Sequence, residues 1–419
     1  MMILNTMLMV ASPLLAPAPM PVTPDILAIK VGTAETVSDG TIRHAVILVE
    51  DGKIVVVGED LPIERGIPVI DLGPDSVAIP GLVNVYSRVG LDSRGGNDSQ
   101  PQLLASKELY PDPTDFEEIL ESGITTMALY PAGNGIPGQA VAVRPYGDTK
   151  EDMIVRDNVY LKVIMRSNSS SRKMITDGFE KADEYIEKEK KAREKWDKAK
   201  EKADKAKKKK KDDKDDKDAK PEPELAPYAA PEMDEEAAAF QQLRDGELRA
   251  LISISNAADY LHLLDAIGEE EFGWDLRIPV SRSLNMFYVK SELGELGCRV
   301  VMEPLISVHP NTRRQRNMPM ELSEAGAKLV LVPRTDSSSN QKAWLRHTGE
   351  LVAAGLPREA ALRAMTLEPA ELLGLGDRLG SLAAGMDANI LFFKADPFEP
   401  GSKIEAVMLE GDIVVGEIN

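Results

Sequence analysis

The run Ala250-Leu-Ile-Ser-Ile-Ser255, the helix-patterned Ala257–Gly268, the run Leu276-Arg-Ile-Pro-Val280, a second helical pattern over Val289–Leu296 and the run Arg299-Val-Val-Met-Glu303 decide the fold. Short apolar runs this far apart cannot be joined as hairpins. They need crossovers, and a helical crossover brings the next strand in parallel. The pattern extends in both directions, with strand-like Ser76–Val83, Thr125–Tyr130, Tyr160–Met165 and Lys328–Val332, and helix-like Phe116–Ser122 and Gln341–Ala354. A parallel α/β fold follows, and a (β/α)8 TIM-like barrel over residues 77–379 is its natural size match. The two ends read differently. Ala45–Glu50, the turn Asp51-Gly52 and Lys53–Gly58 form a hairpin pattern, since Asp-Gly tolerates the left-handed backbone that a tight turn needs. Ala388–Phe393 and Ala406–Glu410, followed by Gly411-Asp412, have the same character. Residues 22–76 and 380–419 are therefore expected to form one composite β-sandwich domain.

The 419 residues carry Lys+Arg 50 against Asp+Glu 69, a formal net charge of −19. Such a surface repels polyanions, so nucleic acid is excluded as a general partner. Cys298 is the one cysteine, which rules out disulfide scaffolds and Cys-based zinc or iron–sulfur sites. Residues 1–21 are apolar and proline-broken, too short to span a bilayer as a helix. They read as an export signal, which places the protein in the periplasm or outside the cell; the alternative is a cytoplasmic protein with an N-terminal arm. From Phe179 to Lys220 the chain holds 18 Lys/Arg and 14 Asp/Glu. This lies in an insertion over 176–233, expected to be helical over Glu180–Lys207 and flexible beyond, then extended by Pro221, Pro223, Pro227 and Pro231. A charge run of this kind is usually a solvated face, and its functional reading is a docking arm for a protein partner through 179–220.

Asp51-Gly-Lys-Ile-Val-Val-Val-Gly58, Ala78-Ile-Pro-Gly-Leu-Val-Asn84, Glu121-Ser-Gly-Ile-Thr-Thr-Met127, Ala364–Leu375, Gly380–Asn389 and Glu405–Asp412 together resemble the amidohydrolase superfamily, in particular its imidazolonepropionase-like branch. The resemblance implies a barrel with a β-sandwich from both termini. It also implies hydrolysis of non-peptide C–N bonds by water bound to a divalent metal (Zn, Fe or Mn). The metal lowers the pKa of that water from 15.7 to about 7, and an acid from the last strand takes its proton.

On that resemblance the family's histidine positions fall on Tyr86-Ser87-Arg88, on Ser253 or Ser255, and near Ser283, while Asp336 keeps the eighth-strand acid. Lys162 lies near a bridging-lysine position whose register one sequence does not fix. Only four histidines occur, His44, His262, His309 and His347. Hydroxyls are poor ligands beside imidazole, and a fixed guanidinium at Arg88 repels a cation by about 4 kcal/mol per unit charge at 4 Å. No metal cofactor is therefore expected. Asp336 is the one catalytic candidate, and its structural reading is an ion pair with Arg88 across the old metal cavity. Tyr86, Arg88, Ser253, Ser255, Ser283 and His309 are read as lining a small-molecule pocket. None of the serines has a Gly-x-Ser-x-Gly elbow. The loops Pro131–Gln139 and Asp92–Asp98 either contact an anion or ligand or shape solvated turns. The reading is an amidohydrolase-like protein with a degenerate metal site, ligand-binding or structural, whose homo-oligomeric state is open. Its alternatives are an active hydrolase built on Asp336, and an interaction protein working through the charged arm.

Overall fold

The computed structural model describes residues 26–92, 95–96, 99–110, 112–212, 226–309 and 311–418. The signal-like stretch and residues 213–225 lie outside them. The first strands are β1 (Ile26–Glu35), β2 (Thr41–Glu50), β3 (Lys53–Glu59), β4 (Val69–Asp71) and β5 (Val77–Pro80). The barrel strands are β6 (Leu82–Ser87), β7 (Ile124–Leu129), β8 (Gly138–Val143), β9 (Ile154–Ile164), β10 (Ala250–Ser253), β11 (Trp274–Arg277), β12 (Arg299–Met302) and β15 (Lys328–Leu331). A short hairpin, β13 (Ser307–Val308) and β14 (Gln315–Arg316), precedes β15, and β16 (Ile390–Phe393), β17 (Ile404–Leu409) and β18 (Asp412–Gly416) close the chain.

The helices α1 (Pro113–Glu121), α2 (Lys150–Met153), α3 (Ser169–Asp212), α4 (Glu235–Arg244) and α5 (Ala257–Ile267) fall in the first part of the barrel. After them come α6 (Lys290–Glu295), α7 (Met318–Glu324), α8 (Ser338–Lys342), α9 (Trp344–Ala353), α10 (Arg358–Arg363) and α11 (Leu367–Leu372).

The barrel sheet runs β15-β12-β11-β10-β9-β8-β7-β6. Seven of its strands are parallel, but β8 pairs antiparallel with both β7 and β9. The expected all-parallel (β/α)8 order is broken at this one strand. The segment Gly138-Gln-Ala-Val-Ala-Val143 returns through a glycine-rich turn rather than a helix. Between the first and last strands the main chain of Ala364 and Met365 fills the seam. Leu331 N–H donates to the Ala364 carbonyl at 2.8 Å and Val83 N–H to the Met365 carbonyl at 2.9 Å.

Inside, Val83, Val85, Ala128, Ala140, Ala142, Tyr160, Leu251, Val301 and Val330 form a packed core, with Tyr160 donating to the Val85 carbonyl at 2.9 Å. Filling the interior with side chains in layers leaves the C-terminal strand ends as the place where polar groups converge. The opposite end is floored by charge. Arg299 pairs with Glu368 (3.0 Å), Glu371 and Asp275, and α11 carries the two glutamates.

The two chain ends meet as expected, and their strands pair as one continuous eight-stranded sheet, β18-β17-β16-β5-β1-β2-β3 with β4 beside β1. Pairing thus joins into one sheet what was expected as two. Chain passes from this sheet to the barrel at Gly81, where a Cβ would lie 2.2 Å from the Thr125 hydroxyl. That contact requires glycine, and it is why the run Ser76–Val83 reads as one strand but forms two.

The charged insertion begins as a barrel helix. Ile175, Phe179 and Ala182 of α3 are buried, Phe179 packing edge-on against Phe240 of α4 at 5.0 Å. The helix then continues for 44 residues in all, about 66 Å at 1.5 Å per residue. It includes Lys207–Asp212, part of the stretch expected to be flexible. The returning chain lies along it, with Trp196 Nε1 donating to the Ala226 carbonyl at 2.9 Å and Tyr228 packed on the Trp196 ring.

Candidate functional site

Period-two alternation turns Ser87, Lys162, Ser253 and Arg277 inward at the C-terminal ends of their strands, beyond the apolar layer of Val85, Tyr160 and Leu251. Ser253 stands directly opposite Arg277 in the β10–β11 register. Lys162 lies opposite Leu251 on one side and Gly138 on the other, so its stem starts one layer lower beside a position with no side chain.

The centre of this mouth is aromatic and cationic. Tyr86 and Tyr130 stack with centroids 4.0 Å apart. Lys162 Nζ sits 3.6 Å from the Tyr130 centroid and 5.5 Å from that of Tyr86, and the Arg277 guanidinium lies 4.9 Å from Tyr86. Lys162 is 4% exposed and Arg277 6%. Burial, seconded by the Arg88 and Arg277 guanidiniums, pushes the Lys162 amine down to about 7. Burial and the neighbouring Tyr86 raise the Tyr130 hydroxyl well above its usual range. Arg277 pairs with Glu303, which also accepts the Val280 N–H at 2.8 Å. Burial raises the Glu303 carboxyl, but Arg277 and the main-chain donors outweigh it and hold the group below its ordinary value.

Asp336 and Arg88 do meet, through the main chain: Arg88 N–H donates to Asp336 Oδ2 at 2.9 Å. The Ser87 hydroxyl also donates to this carboxylate. Desolvation nevertheless dominates and raises the Asp336 pKa, against the opposing pull of these donors and of the Arg88 charge. Ser255 serves the scaffold. Its N–H donates to Asp259, which also takes the Ser167 N–H, so one buried carboxylate ties the loops after β9 and β10 together. His309 sits in the β13–β14 turn, its main chain bonded to Arg314 and Thr312. Ser283 belongs to a 3-10 stretch, Val280–Tyr288, and its side chain lies outside the described residues.

Among the described residues no group of three or more His, Cys, Asp or Glu could hold a metal ion. The mouth offers Lys162, Arg277 and Arg88 against Glu303 and Asp336. That donor set does not fit a divalent cation, which needs imidazole or several free carboxylates and is opposed by each fixed positive charge. Tyr130, Arg277 and Glu303 were not among the residues singled out in the sequence. Each ends one of the recognised strand-like runs or lies in one, and a polar residue at that end of a barrel strand was the available signal.

Residues 78–414 match the amidohydrolase family. The chain belongs to that family. This amidohydrolase-family chain is 44% identical over 57 residues to amidohydrolase tasK of Hapsidospora irregularis, a match covering 14% of this chain and 6% of the length of that curated relative. Its fold is similar to that of an amidohydrolase from Thermotoga maritima MSB8, with a TM-score of 0.74 and 20% identity over 93% of this chain and all of the other. A Xaa-Pro dipeptidase with methionine bound in its active site is also similar, with a TM-score of 0.53 and 13% identity over 93% of this chain and 100% of that one.

Proposed function

We propose that this amidohydrolase-family chain is a metal-independent protein that binds a small molecule in the barrel mouth, the hydrolytic chemistry having gone with the imidazole ligands. The observation that carries this reading is that Lys162 and Arg277, both nearly fully buried cations, stand in the barrel mouth beside Tyr86. Without a bound metal, Asp336 faces ordinary water, whose pKa is far out of reach of a carboxylate. The opening and closing motifs support a place in the imidazolonepropionase-like branch, and the apolar residues 1–21 support export. No helix among the described residues is long and apolar enough to cross a membrane.

A second reading, an active C–N hydrolase built on Asp336, is favoured by one observation. Desolvation raises its pKa and so makes it a stronger base than a surface aspartate. Elemental analysis of the purified protein, paired with hydrolysis of a lactam and amide panel before and after chelation, separates the two. The binding reading expects no stoichiometric zinc, iron or manganese and no turnover. Stoichiometric metal with chelator-sensitive turnover overturns it.

A further inference from the structure

Two buried hydrogen-bond donors lie at the mouth without an acceptor, beside the Lys162 ammonium. Among the described residues Ser253 Oγ and Arg277 Nε are both buried with no hydrogen-bond partner. The contacts described for Lys162 Nζ are with the faces of Tyr130 and Tyr86, and no described carboxylate pairs with it. Ser253 and Arg277 are direct neighbours across β10 and β11. The other two Arg277 nitrogens are already used, one by Glu303 and one by the Val301 carbonyl at 3.3 Å. Buried donors left open are costly, so a site that keeps two of them side by side, with the Lys162 ammonium nearby, is suited to a ligand made of acceptors.

Charge sets the class of that ligand. Glu303 offsets Arg277, and Asp336 lies in the field of Arg88. Lys162 is the remaining uncompensated cation in the cluster, so one negative charge completes the balance and two would exceed it.

We propose that the barrel mouth binds a small carboxylate monoanion, its oxygens accepting from Lys162 Nζ, Ser253 Oγ and Arg277 Nε. The proposal rests on the metal-independent reading above and gives that site its ligand class. The groups facing Lys162 are Tyr86 from β6, Arg88 just after it, Tyr130 after β7, Tyr160 from its own strand, Arg277 from β11, and the Glu303 and Asp336 carboxylates. Burial and the neighbouring guanidiniums bring the Lys162 amine down to about 7. The anion selects its protonated form, so affinity should fall as pH rises above about 7, by up to tenfold per unit.

The test uses full-length protein first shown by elemental analysis to be metal-free. Formate, acetate and benzoate are titrated by calorimetry, with sulfate as the dianion contrast. Carbamoylation of Lys162 by cyanate is followed in parallel by peptide mass spectrometry. Saturable carboxylate binding that weakens with rising pH, slows Lys162 modification at least tenfold and exceeds sulfate binding is the expected result. Lys162→Met should lose at least tenfold in affinity, and Lys162→Arg should keep most of it. If Lys162→Met does not fold, the protection measurement on the unmodified chain decides alone. Absence of heat and of protection at millimolar carboxylate overturns the site, as does tighter sulfate binding. Stoichiometric metal in the starting protein would instead overturn the metal-independent reading.

Discussion

Lys162 pays for its position. A primary amine buried against the Tyr130 ring, with two guanidiniums nearby, has its folded-state pKa depressed to about 7. The unfolded chain then holds more protons than the folded one between about pH 7 and the ordinary lysine value near 10.4, so stability rises with pH across that window. Below pH 7 the full penalty applies, up to roughly 5 kcal/mol for a shift of this size. Lys162→Met should therefore raise the urea midpoint more at pH 6 than at pH 10, and should flatten the dependence between them; an unchanged slope would show that the amine is not the group responsible. At Asp336 the carboxylate holds the Arg88 N–H, and Asp336→Ala strands that donor. A loss of about 1–2 kcal/mol in denaturant unfolding is expected. At this scale the sequence was partly legible. Ser253, Tyr86, Arg88 and Asp336 do stand at the mouth, because strand ends can be located from alternation. Which of their neighbours turn inward, as Arg277 and Glu303 do, depends on pairing register, and a one-residue slip would reverse every face.

Apolar runs bounded by turns located β12, β15 and α5 to within a residue or two, since each is short, regular and strongly patterned. The strand β8 escaped notice because Gly138 and two alanines give it little β-branched character, and its partner strands override that weak preference. Likewise Gln341–Ala354 reads as one helix but is broken at Ala343 between α8 and α9. In α3, Gly178 costs about 1 kcal/mol in helix propensity relative to alanine, but a Cβ there would come within 2.1 Å of the Phe240 ring. Gly178→Ala should thus destabilise the protein, by about 1–3 kcal/mol as overpacking does, and lower its melting temperature. A rise would mean that propensity, not packing, governs this contact. Farther along the helix, Trp196→Ala removes one hydrogen bond, the Tyr228 ring contact and the Lys200 cation–π contact on the arm. Hydrogen exchange should accelerate along 226–231 while global unfolding shifts by no more than about 1 kcal/mol.

Across the whole molecule the barrel is closed at its floor by ions rather than by hydrocarbon. Arg299, 9% exposed, bonds Glu368 at 3.0 Å, pairs with Glu371, and donates its main-chain N–H to Asp275 at 2.8 Å. Arg363 supports the same two glutamates. Arg299→Met leaves buried carboxylates short of a partner and should cost about 3–5 kcal/mol in equilibrium unfolding, with Glu368→Gln in the same background restoring part of it. Neither this floor nor the seam filled by Ala364 and Met365 could be read from the chain, because both join segments far apart in sequence.

The terminal sheet carries a consequence for synthesis. Strand β5 has β1 on one side and β16 on the other, with Pro80 opposite Ile390. A ribosome releases β5 long before its second neighbour exists, so one flank of the nascent sheet stays unzipped while the entire barrel emerges. Completion of this sheet therefore waits until β16 has been made. Until then an open strand border is available to chaperones or to another unfinished chain.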